Sequence, residues 1–374
     1  MSRSRMVRST VTAVALGLGV SACWAQPRSL VAPPGFLAAV GDEQRQVMDC
    51  PAAPEPYTGA LDFPSKYQGS DAARDDFNAQ SNARYKAQTR DITALEKGVA
   101  RMVGRYLDSG QSSYLNCTMS WLTAWAEADA LRGQVRSHTG KSMRKWALGS
   151  LASAYLQLKS SSSDPLRLAP SSARKVEDWF GRLADQVVED WRDQPLRKVN
   201  NHEYWAAWSV MAVAVILDRQ DLFDWSVSQY RIAAGQIDER GFLPNELARD
   251  TRALFYHNYA LPPLAMIAAF AQANGVPLIE EGDGALHRLA RRVMDGVERP
   301  EAFREITGSD QNLEDLNRSS KYSWLEPYCW MTECSPLMRR RLEEFRPINT
   351  YRMGGDVTRL FANAGHGDGA LALR

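Results

Sequence analysis

Two short stretches carry side chains that could do chemistry together. The first is Asn200-Asn201-His202-Glu203-Tyr204-Trp205. Two amides and an imidazole stand side by side, directly before an apolar run of Trp205, Trp208, Val210, Met211, Val213 and Ile216. That run has helical period and length, and Asn is a favoured N-cap, so Asn200 or Asn201 is expected to start the helix. A helix start offers free N–H groups and positive partial charge, which suits a carboxylate. The second stretch runs from Gly241 to His257, where a turn gives way to a helix. Arg249, Arg252 and Tyr256 fall at i, i+3 and i+7, so two guanidiniums and a phenol share one helical face. Each stretch also has a plain structural reading: a capped helix with a structural histidine, and a surface ladder in which Glu246 and Asp250 pair with the arginines. Glu203 is a candidate to orient His202. His257 points about 100° away from Tyr256 on a helix and reads as structural. His138, His287 and His366 have no company in sequence and receive no role.

Helical patterns surround both stretches. Ile92 to Tyr106, Trp121 to Ala128, Trp146 to Leu158 and Val176 to Trp191 precede the helix after His202. Leu222 to Ile232 follows, capped by Asp221. Residues 246–273 form a seventh pattern, bent or interrupted at Pro262-Pro263. Leu286 to Val297 and residues 337–345 complete the series. Strand-type alternation is nearly absent, and no linker looks like a domain boundary. The expected fold is all-α: residues 26–374 as one domain of helical hairpins, curled into a toroid or incomplete barrel around a deep cleft. Residues 26–64 are rich in proline and read as an extended wrapping segment. Residues 65–89 are polar and basic-aromatic, a solvated helix face or a lid over the cleft.

A chain of 374 residues with 44% hydrophobic content can bury a large core. Residues 1–25 read as a signal peptide: Arg3, Arg5 and Arg8, a short apolar run from Val11 to Val20, then small residues ending at Ala25. Lipidation at Cys23 is the rival processing. Those residues hold no acid, so their removal takes the net charge from +1 to −2. Bulk charge therefore announces no nucleic-acid partner, and an anion site must be a local cluster. Cys50, Cys117, Cys329 and Cys334 allow two disulfides in three connectivities, with Cys329–Cys334 expected from proximity in sequence. No spacing resembles a zinc site, and no later segment looks transmembrane.

The two chemical stretches resemble the poly(β-D-mannuronate) lyases, the periplasmic alginate lyases of polysaccharide lyase family 5. Ser65-Lys66-Tyr67 with Ser70-Asp71, Thr139 to Trp146, Trp324 to Cys329 and Arg352 to Arg359 are similar to the same family, in order, across nearly the whole mature chain. The resemblance implies an (α/α) toroid, a mobile lid and no metal or organic cofactor. It implies that Asn201 and Arg249 neutralise a uronate carboxylate, that His202 sits at the C5 side, and that Tyr256 is catalytic acid and base. Lys66, Asn200, Arg252 and Arg352 would hold substrate.

β-Elimination from a 1,4-linked uronate explains those residue types. The carboxylate must be neutralised so that the C5 proton becomes removable, and an arginine fork with an amide suits that task. In mannuronate the C5 proton and the C4 oxygen share a ring face. One phenol, its pKa lowered by Arg249, Arg252 and a neighbouring histidine, can then take the proton and return it to O4. In guluronate the faces are opposite and His202 is the more natural base. The rivals are a glycoside hydrolase, which needs two carboxylates flanking the bond, and a non-catalytic polyuronate-binding protein of a periplasmic polysaccharide export complex. The partner expected on the lyase reading is the alginate polymer, met by a monomer in the periplasm; a lyase can also belong to an export complex.

Overall fold

The structure is a computed structural model that describes residues 29–41, 49–67 and 76–362. The expected signal segment 1–25 with Cys23, the Ser70-Asp71 pair and His366 lie outside them. Helix α1 (Ala79–Gln88) leads into α2 (Arg90–Ser109), which pairs with α3 (Ser112–Glu127). Helices α4 (His138–Ser160) and α5 (Pro170–Trp191), then α6 (Asn201–Leu217) and α7 (Gln220–Gln236), repeat the hairpin. A one-turn α8 (Pro244–Leu247) and a 3-10 turn at Asp250–Arg252 precede α9 (Ala253–Ala273), which pairs with α10 (Glu281–Glu298). Helices α11 (Glu301–Thr307), α12 (Leu325–Met331), α13 (Pro336–Phe345) and α14 (Val357–Phe361) follow.

Composition decides which helix lies inside. Helices α6 and α9 are apolar all round and buried along almost their whole length, so both sit within the ring. The inner helices α2, α4, α6, α9 and α12 pack each on the next, and α3, α5, α7 and α10 back them from outside. Helices α5 and α10 keep one apolar stripe inward and charges outward. The result is the expected (α/α) toroid of helical hairpins.

The seventh pattern breaks elsewhere than expected. The interruption is at Asp250, whose φ is 51°, and α9 runs on through Pro262 and Pro263. Pro263 has no N–H for the Tyr259 carbonyl one turn back. The Trp205 indole donates to that carbonyl instead, at 3.1 Å, replacing the lost bond and tying α6 to α9. Asp221 does not cap α7 either; it pairs with Arg219.

The ends of the chain staple the ring. The proline-rich segment lies extended on α3, where the Trp121 and Trp125 indoles donate to the carbonyls of Pro51 and Pro54 at 2.9 and 2.8 Å. The Cys50–Cys117 disulfide fixes it there, and Cys329 pairs with Cys334. Near the C-terminus, strands β1 (Asn349–Thr350) and β2 (Gly355–Asp356) form a small antiparallel hairpin whose turn carries Arg352. Gly354 closes that turn at φ +83°, and a Cβ there would lie 2.6 Å from the Ser153 backbone on α4. Among the described residues no helix is long and apolar enough to cross a membrane.

Candidate active site

The start of α6 is built by a reciprocal cap. The Asn200 side chain accepts from the His202 N–H at 3.0 Å, and the Glu203 carboxylate accepts from the Asn200 N–H at 3.0 Å. The Asn200 amide also donates to the Lys198 carbonyl, so both ends of it are engaged in starting the helix. Glu203 is likewise spent on the cap and does not orient the imidazole, contrary to expectation. Asn201 is fully buried, and its N–H and Nδ2 both donate to Glu246 Oε1, at 2.7 and 2.8 Å. Its Oδ1 is buried with no hydrogen-bond partner among the described residues. Glu246 is itself fully buried, and its other oxygen accepts from Arg249 Nε at 3.4 Å. Burial raises the Glu246 pKa, while Arg249 and the Asn201 donors oppose the rise. One carboxylate thus joins the two chemical stretches, and the expected Glu246–Arg249 pair has a second function.

Tyr256 lies half-buried at the far end of that chain of contacts. The Arg249 guanidinium stands over its ring at 4.6 Å and Arg252 at 5.0 Å. The expected grouping holds, but through a different geometry. Arg249 lies in the turn before α9 and Arg252 caps it, so the break at Asp250 folds both cations back over the first turn. The expected lowering of the phenol's pKa is not met. Burial raises it, and the pull of Arg252 and Arg249 opposes that rise without cancelling it.

His202 receives neighbours that sequence reasoning missed. Lys145 Nζ lies 3.0 Å from His202 Nδ1 and donates to the His202 carbonyl at 2.6 Å. Ser142 Oγ is 3.2 Å from the same ring nitrogen. Trp191 stacks on the imidazole at 5.8 Å, and His138 meets it edge-on at 4.6 Å. His138, given no role from sequence, is therefore part of this wall. Lys145 is fully buried, which pulls its pKa well below the ordinary range. The available signal was on α4: His138, Lys141, Ser142 and Lys145 fall at helical spacing on one face, an odd polar stripe on a helix that is otherwise buried.

The expected binding residues are distributed around this centre. Tyr67, in the segment expected to form a lid, accepts from Arg252 Nη1 at 2.6 Å, and exposed Lys66 lies over the Tyr67 ring at 4.9 Å. Lys321, also missed, stands over Phe255 at 4.9 Å, its pKa lowered by burial and further by nearby Arg318, Lys66 and Arg252. Arg352 pairs with buried Glu96 at 2.6 Å and covers Trp146 at 5.2 Å; the Trp146 ring is 5.9 Å from His202. Lys66, Arg249, Arg252 and Lys321 gather around Tyr67, Phe255 and Tyr256, and Lys141 and Lys145 around Trp191 and His202, while Glu246, Glu203 and Glu96 are all spent on internal contacts.

His257 is structural, as expected. Its Nε2 accepts from the Leu243 N–H at 2.8 Å and Nδ1 meets the Ala253 carbonyl at 2.8 Å, which sets the turn before the arginines. Burial holds its pKa at about 4, down from 6.5. The unfolded chain therefore binds a proton between those values that the folded chain refuses. This contribution to stability is full above pH 6.5 and declines by about 3 kcal/mol as pH falls to 4. In His257→Gln the amide oxygen can still accept from Leu243, but nothing titrates. Denaturant midpoints compared at pH 7 and pH 4.5 should fall less for the variant than for the wild type; equal falls would count against this assignment.

Three comparisons bear on the site. A family model described as alginate lyase matches residues 62–303. An alginate lyase of Pseudomonas paraeruginosa is 52% identical over 365 residues, covering 98% of this chain and all of the relative. One from Azotobacter vinelandii is 55% identical over 334 residues, 89% of each. Among solved structures, alginate lyase A1-III from Sphingomonas species A1 superposes with a TM-score of 0.70 over 88% of this chain and 90% of that one. At 23% identity that likeness speaks to the fold.

Proposed function

The chain belongs to the alginate lyase family, and we propose that it is a mannuronate-specific member, cleaving the 1,4-linkages of polymannuronate by β-elimination and leaving unsaturated uronate at the new non-reducing end. The observation that carries this reading is the Tyr256 phenol clamped by two guanidiniums and joined through Glu246 to Asn201, beside His202. In the proposed reaction Arg249, helped by the second Nδ2 hydrogen of Asn201, takes the C6 carboxylate and meets the charge that develops as the C5 proton leaves. Tyr256, ionised, removes that proton and then delivers it to O4 on the same ring face. His202 faces the C5 side, Arg252 and Arg352 support the sugar chain, and Asn200 keeps the helix start in place. The hydrolase rival is disfavoured because Glu246 is buried and occupied, so it presents no free carboxylate to a glycosidic bond. No cofactor enters these steps.

Residues 26–374 are read as one catalytic domain working as a monomer on alginate. Two disulfides suit an oxidising compartment, and we place the protein in the periplasm, where it can also serve a polysaccharide export complex. The test is digestion of polymannuronate, polyguluronate and hyaluronan side by side, followed by the ultraviolet absorbance of unsaturated ends. Absorbance should grow with polymannuronate far faster than with the other two. Cleavage without absorbance would mean hydrolysis, and equal rates on both alginate polymers would remove the proposed specificity.

The lid role of Lys66 has its own test. Lys66 is exposed and meets the Tyr67 ring, whose hydroxyl accepts from Arg252. Lys66→Ala should raise KM for polymannuronate several-fold and leave the thermal midpoint within about a degree, since surface substitutions usually cost under 0.5 kcal/mol. A matching loss of folding stability would make the segment structural.

A further inference from the structure

We propose that a groove beside the cleft is a second binding site for the same polyanion, one that holds uronate carboxylates several sugars away from the bond being broken. The proposal rests on the alginate reading above. The groove has a volume of about 550 Å³ and is lined by Lys97, Arg101 and Arg105 of α2 on one wall, with Tyr351, Asp356 and Arg359 on the other. The three α2 cations fall at i, i+4 and i+8. Along a helix that sets them about 6 Å apart in a row, close to the repeat of a linear hexuronate chain with one carboxylate per sugar.

Two features separate this row from a plain solvated face. First, all three cations are exposed, and among the described residues none forms an ion pair, whereas Arg90 on the same helix and Arg182, Arg192, Arg219 and Arg231 elsewhere on the surface all do. The groove's own acids are occupied. Asp108 is held by Arg359, and Asp356 caps α14 through the Arg359 N–H. Second, the groove runs into the catalytic wall. The Tyr351 ring lies 5.5 Å from Lys97 on one side and 5.1 Å from Arg352 on the other, and Arg352 covers Trp146 beside His202. At the opposite edge Ser320 lines the groove next to Lys321, which stands over Phe255. A chain seated in the cleft can continue into the groove over Tyr351 without leaving a cationic surface.

The test compares wild type with Lys97→Ser/Arg101→Ser/Arg105→Ser on long polymannuronate and on a purified tetramer, at low and high salt. Each exposed charge contact is worth a few-fold at most, so the three together should raise KM for the polymer roughly tenfold. The value of kcat and the kinetics on the tetramer should stay as in wild type, and the salt dependence of the polymer KM should flatten. Arg101→Ser alone, which keeps the other two cations, should show a smaller shift in the same direction. Unchanged polymer KM in both variants would overturn the proposal while leaving the lyase reading intact, because the wild type still cleaves. An equal loss on tetramer and polymer would also overturn it, since the row would then be acting on the catalytic centre. A wild type that leaves polymannuronate uncut would sink the lyase reading, and this inference with it.

Discussion

Tyr256→Phe should lower kcat on polymannuronate by roughly 10²–10⁴, the usual worth of a positioned acid–base group, while polymer binding survives. The substitution removes one oxygen. The ring keeps its contacts with the Arg249 and Arg252 guanidiniums, which lie 4.6 and 5.0 Å from its centroid. Arg249 and Asn201, proposed to meet the carboxylate, keep their links to Glu246. The pH profile gives a second check. Burial holds the phenol above its ordinary value, so at neutral pH only a minor fraction is ionised, and that fraction grows as pH climbs. The wild-type kcat/KM should therefore rise from neutral into alkaline pH. Turnover by the phenylalanine variant within a few-fold of wild type would exclude the phenol. His202 would then be promoted to the general base, with another group giving the proton to O4.

What could be read in advance divides by the range of the interaction. The cap at Asn200 was legible because a capping residue, an apolar run and Glu203 three residues on are all local. The toroid was legible because helical period and short links repeat along the chain. The grouping of Arg249, Arg252 and Tyr256 was legible as a grouping, yet its geometry was not, because Asp250 adopts a left-handed conformation that no periodicity announces. Pro262-Pro263 misled for the same reason in reverse. The carbonyl they strand is satisfied by Trp205, from a helix more than fifty residues earlier. The phenol's pKa was misjudged because counting nearby cations ignores desolvation, which here is the larger effect. The least legible part was the wall behind His202. Ser142 and Lys145 lie about sixty residues upstream, and only the packing of α4 on α6 brings them to one imidazole.

That wall yields the second large expected effect. Lys145→Met should lower kcat about 10²-fold, the cost typical of a catalytic group displaced by ~1 Å, with little change in KM or thermal midpoint. Lys145 holds His202 at two points, the carbonyl and Nδ1. Burial works against the ammonium and Glu203 favours it; when Lys145 carries its proton it can only donate, which makes Nδ1 the acceptor and leaves the ring proton of neutral histidine on Nε2. In that tautomer Nε2 can donate to a bound sugar but cannot take a proton, which under the proposed mechanism leaves the base to Tyr256. Methionine fills the same volume without a donor, so Nδ1 is left with Ser142 at 3.2 Å, and a hydroxyl can give or accept. The ring proton is then free to move to Nδ1. Stability should hold, because losing the attraction to Glu203 is offset by no longer burying an ammonium. Nitrogen chemical shifts of His202 supply a readout that a merely structural lysine would not move: Nε2–H in the wild type, a mixture or Nδ1–H in the variant. Full activity in Lys145→Met, or an unchanged tautomer alongside lost activity, would show that the lysine does not act through the histidine.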